Sequence, residues 1–148
     1  MPTPSNQPTR VRLEDGPQEL LSKDAWSAAV AILREFHPNL TFDYLQQQQG
    51  RGLRVFGLVQ DRILVGVATI TTQLHLSEGE RPWIEDLLID PAHRNQGNGE
   101  RLFRHVVDSL HNEGAQRVLV RTREENRRAI KFYLRMGCEL SGPAFNCK

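Results

Sequence analysis

Residues 94–99 read Arg-Asn-Gln-Gly-Asn-Gly and lie between an apolar stretch, 83–89, and an amphipathic one, 100–112. This turn constrains the chain more than any other feature. Glycines lack a Cβ, so Gly97 and Gly99 let the backbone bend and come close to a ligand. The helix that follows points its first N–H groups outward, and its dipole favours an anion there. Arg94 adds a positive charge. Physically, a strand, this turn and a helix make a phosphate or pyrophosphate cradle. A loop that merely needs glycine would read the same way, so the surroundings decide. The Walker pattern Gly-x-x-x-x-Gly-Lys-Ser/Thr is absent. The three-glycine dinucleotide fingerprint is missing too, and the preceding strand sits in an antiparallel meander rather than opening a βαβ unit.

Hydrophobic periodicity gives the surroundings. A short strand is expected over 10–13, closed by Glu14-Asp15-Gly16-Pro17. A helix over 19–36 would gather Leu20, Leu21, Trp26, Ala29, Val30 and Leu33 on one face. His37-Pro38-Asn39 breaks it, and a weaker helix follows over 41–49. Strands over 53–60, 63–76 and 83–89 read as an antiparallel meander, joined by a tight turn at Asp61-Arg62 and a loop over 77–82. Beyond the glycine turn, Leu102, Phe103, Val106, Val107 and Leu110 form the buried stripe of the 100–112 helix. A strand over 117–121, a helix over 126–135 and a last strand from Cys138 follow. Such crossovers make this half at least partly parallel. The 148 residues hold no repeat and no dividing linker. The polar, Pro-rich 1–9 segment reads as a disordered tail and 10–148 as a single domain.

Residues 84–99 resemble the core motif of the GNAT superfamily of N-acetyltransferases. In that motif an acidic residue and an apolar strand, here Glu85-Asp86-Leu87-Leu88-Ile89, lead into Arg/Gln-x-x-Gly-x-Gly/Ala. About thirty residues later, Asn126, Ala129, Phe132-Tyr133 and Gly137 match the second motif of that family. The order of elements fits as well, so the resemblance covers nearly the whole chain. It implies an α/β (α+β) fold: a GNAT-type mixed, mostly antiparallel twisted sheet with helices on both faces. The two central strands would splay where coenzyme enters.

The resemblance also implies acetyl-CoA as co-substrate, no metal, and transfer of the acetyl group to an amine. The backbone of Asn95, Gln96, Gly97, Asn98 and Gly99 would hold the pyrophosphate, with Arg94 beside it. Leu87, Leu88 and Ile89 would run along the pantetheine arm like an added strand. A bulge there would turn one amide toward the thioester carbonyl. Asn126 matches the side chain that bonds the arm. Tyr133 matches the acid that protonates the departing thiolate; a phenol O–H suits that task. It would also fit as a half-buried tyrosine beside Ala129, Ile130 and Met136. Glu85 and Asp86 are the first candidates for the base that deprotonates the amine. Alternation lets one of them face the cleft, and the family pattern selects Glu85, which shares parity with Leu87 and Ile89. Each also reads as a surface carboxylate. His75 is a candidate lining residue or an edge-strand histidine. His93 is expected at the surface.

Composition narrows the partners. The formal net charge is +1, which argues against a dedicated nucleic-acid binder. Arg121, Arg123, Arg127 and Arg128 then read as a solvated helix start, or as contacts to the coenzyme's adenosine phosphates. No apolar run approaches the roughly 20 residues of a membrane span, and no secretory leader opens the chain. The expected compartment is therefore cytoplasmic, with Cys138 and Cys147 as reduced thiols. Ala144 to Lys148 leaves room for a stub of a final strand, so that strand is very short or a partner in a homodimer completes the site. The expected acceptor is a primary amine of a small molecule. A protein or peptide amine, or a non-catalytic acyl-CoA-binding module, are the competing readings.

Overall fold

A computed structural model describes residues 11–141 and 144–147. The expected tail over 1–9 lies outside the described residues. Seven strands form one sheet in the order β1-β2-β3-β4-β5-β7-β6. They are β1 (Gly16–Glu19), β2 (Arg54–Gln60), β3 (Ile63–His75), β4 (Gly79–Ile89), β5 (Val118–Val120), β6 (Glu139–Ser141) and β7 (Ala144–Cys147). Helices α1 (Lys23–Leu33) and α2 (Phe42–Gly50) precede β2; α3 (Asn98–Asn112) and α4 (Arg127–Arg135) flank β5. Every strand pair is antiparallel except β4 with β5.

Local signals set the elements. Ser22 and Thr41 cap α1 and α2, each accepting a backbone N–H at 3.1 Å. Asp61 and Arg62 turn β2 into β3 with both residues at positive φ. The Asp15 carboxylate accepts both of their amides at 3.1 and 3.0 Å, which holds its pKa below the usual value. The sheet separates two apolar layers. Phe56, Leu58, Val65, Ala68, Ile70 and Ile84 face α3 and α4. Val55, Val59, Leu64, Val67 and Leu88 face α1 and α2.

Three expectations are corrected. The first strand lies at Gly16–Glu19, where its residues pair with β2, rather than over 10–13. The 77–82 loop is mostly strand, because β4 starts at Gly79 and follows β3 to the tip of the hairpin. The final strand is very short, as one of the two expectations has it: β7 forms a hairpin with β6 and inserts between β5 and β6. The two cysteines are not separate thiols: Cys138 and Cys147 form a disulfide, with Cα atoms 4.3 Å apart. It ties the end of α4 to β7. Among the described residues, no helix is long and apolar enough to cross a membrane.

Candidate active site

The site forms where β4 and β5 part. Their register covers two pairs, Trp83 with Leu119 and Ile84 with Val120, and an amide of Arg121 then bonds the Ile84 carbonyl at 3.0 Å. Past that point β4 has no β5 residue in register, which matches the expected splay. On its other edge β4 stays on β3: the Asp90 amide donates to Val65 at 2.8 Å. Backbone groups alternate sides along an antiparallel strand. Leu88 and Asp86 therefore turn their backbones to β3, and Leu87 and Ile89 turn theirs to the gap. Leu88 also buries its side chain against the α1 layer, so it does not share the setting of its two neighbours.

The glycine turn closes the lower end of the gap. A 3-10 turn, Pro91–His93, brings the chain round; Asn95 and Gly97 both sit at positive φ, 62° and 80°. Gly97 is the N-cap residue of α3, and no side chain caps that helix start. Its first amides therefore have no side-chain cap and suit an anion. Asn98 is buried and braces the turn: its Nδ2 donates to the His93 carbonyl at 3.0 Å, and its Oδ1 accepts from Gln60 at 2.8 Å. His93, half-buried rather than at the surface, pairs with Asp90 at 3.0 Å. Asn95 and Gln96 are exposed. Arg94 does not stand loose beside the turn. Its Nε donates to the Ile89 carbonyl at 2.9 Å and its other end pairs with Glu35, which links the turn to the segment after α1.

On the other side of the gap, Asn126 caps α4, its Oδ1 accepting the Ala129 amide at 3.1 Å. Tyr133 is 5% exposed and lies between Phe103 and Phe132, at ring separations of 5.7 and 5.4 Å. Burial raises its pKa well above the ordinary phenol value, and the charge of Asp86 raises it further.

The two acidic residues of β4 depart from simple alternation. Thr69 pairs with Asp86 but Ile70 pairs with Ile84, so Glu85 is an extra residue, a β-bulge. Side chains on either side of it no longer share parity: Ile84 and Leu87 meet the same apolar layer although three residues apart. Glu85 and Asp86 consequently both face the α1–α2 side, where Thr71 donates to Glu85 at 2.7 Å and Thr69 to Asp86 at 2.6 Å. The expectation that one acid alone faces the cleft is overturned by this bulge. Glu85 is also paired with Arg121 at 3.1 Å, whose guanidinium stacks 4.3 Å over Trp83. Arg121 thus leaves the exposed basic group that Arg123, Arg127 and Arg128 form. His75 does not reach this cleft. Its ring accepts the amides of Ser77 and Glu78 at 3.3 Å and closes the β3–β4 turn.

Both acids line a cavity of about 160 Å³ with Leu33, Leu40, Leu45, Leu53, Tyr44 and His37. His37 is the member that sequence reasoning missed. It was legible only as a helix breaker, yet its Nε2 lies 2.8 Å from Oδ1 of Asp86. A second depression, about 410 Å³, is lined by Leu13, Glu14, Asp15, Asp61 and Arg62, and its Asp15 is occupied in capping the β2–β3 turn. Among the described residues no cluster of His, Cys, Asp and Glu has a metal-binding arrangement.

An uncapped helix start at a left-handed glycine, a strand parted from its parallel neighbour, and an acid-floored cavity thus lie together on one mixed sheet. The profile of the Acetyltransferase (GNAT) family matches residues 21–138, and the chain belongs to that family. Among known proteins, streptothricin acetyltransferase of Streptomyces lavendulae is 33% identical over 82 residues, 55% of this chain and 42% of that protein. N-alpha-acetyltransferase 30 of Schizosaccharomyces pombe is 30% identical over 73 residues, 49% of each chain. The matched stretches thus span less than half the length of these two relatives. The crystal structure of the ribosomal-protein-S18-alanine N-acetyltransferase from Escherichia coli superposes with a TM-score of 0.68 at 25% identity, over 84% of this chain and 77% of that one.

Proposed function

We propose that this chain moves an acetyl group from acetyl-CoA to the primary amine of a small molecule. The observation that carries the reading is the uncapped start of α3 at Gly97, set below the gap between β4 and β5. Its donor set fits a pyrophosphate: successive backbone amides at a helix N-terminus, on a turn braced by Asn98. The backbone of Gln96 to Gly99 would hold that group. The backbones of Leu87 and Ile89, turned to the gap, would take the pantetheine arm, with Asn126 across from them.

When bound, acetyl-CoA supplies an acyl carbon activated as a thioester. This chain's residues do the rest. The bulge at Glu85 would offer a backbone amide to the carbonyl oxygen of a bound thioester, where a fixed amide dipole would stabilise developing negative charge. Glu85 and Asp86 draw an ammonium group into the cavity and hold it on their side of β4. Tyr133, kept protonated by its burial, stands as the donor for the leaving sulfur.

The relatives divide on the acceptor, since one is named for streptothricin, one as an N-alpha-acetyltransferase and one for an alanine of ribosomal protein S18. The apolar lining and the volume of about 160 Å³ favour a compact amine over a peptide. Competition between 2-phenylethylamine, kanamycin and a short alanine-initiated peptide tests this. The compact amine should show the highest kcat/KM. A peptide preference of about tenfold or more would move the acceptor to protein.

A further inference from the structure

We propose that His37, oriented by Asp86, is the base that takes the proton from the acceptor ammonium. This rests on the reading of the site as an amine acetyltransferase and names a group which that reading leaves open.

His37 lies in the turn after α1, where its own amide is anchored to the Leu33 carbonyl at 2.9 Å. Its Nε2 is 2.8 Å from Oδ1 of Asp86, and Oδ2 of Asp86 accepts the Thr69 hydroxyl at 2.6 Å. Both oxygens of Asp86 are thus engaged, and its side chain is 15% exposed. A carboxylate in that position holds the imidazole N–H on Nε2 and leaves the Nδ1 lone pair as acceptor. The His37 side chain is 50% exposed, so a proton received at Nδ1 can pass to water. Glu85 is placed differently. It is committed to Thr71 at 2.7 Å and to the Arg121 guanidinium at 3.1 Å, so both partners already engage its oxygens, and it suits holding a cation better than removing its proton.

The step balances as follows. The acceptor ammonium gives one N–H proton to Nδ1. The lone pair so formed makes the N–C bond as the C–S bond breaks. The sulfur leaves with the hydroxyl proton of Tyr133, and the second proton shed by the nitrogen replaces it. One net proton leaves through His37 to solvent. Around His37 the charged and titratable groups are Asp86 and Glu85 on β4, Tyr44 on α2, and Arg34 and Glu35 just before it. Arg34 is bonded to the Leu40 carbonyl and Glu35 to Arg94, so neither supplies a competing base at this position.

The test is thiol release from acetyl-CoA with 2-phenylethylamine, n-butylamine and spermidine, in wild type, His37→Asn and His37→Ala. His37→Asn should lower kcat about 10²–10³-fold while calorimetric affinity for acetyl-CoA holds. Only neutral imidazole accepts a proton, so kcat/KM in wild type falls toward acid pH, and this limb should vanish in His37→Asn. Added imidazole should restore His37→Ala about tenfold, which a merely structural histidine would not allow. Asp86→Asn should keep a weakened, displaced limb. Release in His37→Asn within about threefold of wild type, with the acid limb intact, would overturn the role of His37 alone. No release by wild type with any amine would overturn the reaction and this role with it.

Discussion

Tyr133→Phe separates chemistry from packing. The substitution removes one hydroxyl and keeps the ring, which rests between Phe103 and Phe132 with 5% exposure. The apolar area withdrawn from water is unchanged, so the stability change is that of one hydroxyl in an aromatic setting, within about 1 kcal/mol either way. For a domain of this size that moves Tm by no more than about 4 °C. The proposed coenzyme cradle lies on another element, at the start of α3, so affinity for acetyl-CoA should hold. Turnover should not. A positioned general acid contributes about 10²–10⁴-fold, equivalent to roughly 3–5.5 kcal/mol of barrier. The assay is thiol release against amine concentration, with calorimetry for the coenzyme and a melting curve on the same preparation. A kcat within about fivefold of wild type, with Tm unchanged, would remove Tyr133 from the proton-transfer step.

Other consequences are as direct. Asn98→Ala strips two part-buried hydrogen bonds from the glycine turn and should cost about 1–3 kcal/mol in denaturant unfolding, with a matching loss of acetyl-CoA affinity. Gly97→Ala forces a Cβ onto φ 80°; nothing lies within 4 Å of it, so the cost of about 1–2 kcal/mol is conformational and should appear chiefly as weaker coenzyme binding by calorimetry. Of the two tyrosines, Tyr133 should ionise last in an alkaline absorbance titration, and Asp86→Asn should bring that step to lower pH. Because its folded pKa is raised, Tyr133 supports full stability below about pH 10, the unfolded value, and stability should decline above it. Reduction of the Cys138–Cys147 bridge, which closes a short loop, should lower stability by about 2–3 kcal/mol in urea titrations with and without reductant.

Much of the fold was legible because its signals are local. The Asp61-Arg62 turn, the stripe of α3 and the glycine turn each depend on neighbours a few residues apart. The failures share the opposite cause. A bulge adds one residue and leaves no composition mark, so simple parity places Glu85 on the face of Leu87 and Ile89, which is the wrong one. The partner of His37 lies 49 residues away on β4, beyond any periodicity. The first strand is held by pairing with β2, not by its own Gly-Pro-Gln-Glu sequence, which reads as a turn. Cys138 and Cys147 meet only because β7 folds back between β5 and β6.

The measurement closest to the central claim follows free thiol and product mass together, with acetyl-CoA and a mixture of compact primary amines. The account predicts thiol release that needs both protein and amine, with one acetylated amine formed per thiol. Tight acetyl-CoA binding at the same protein concentration, with no amine-dependent thiol and no acetylated product, would contradict it and identify an acyl-coenzyme A binding module instead.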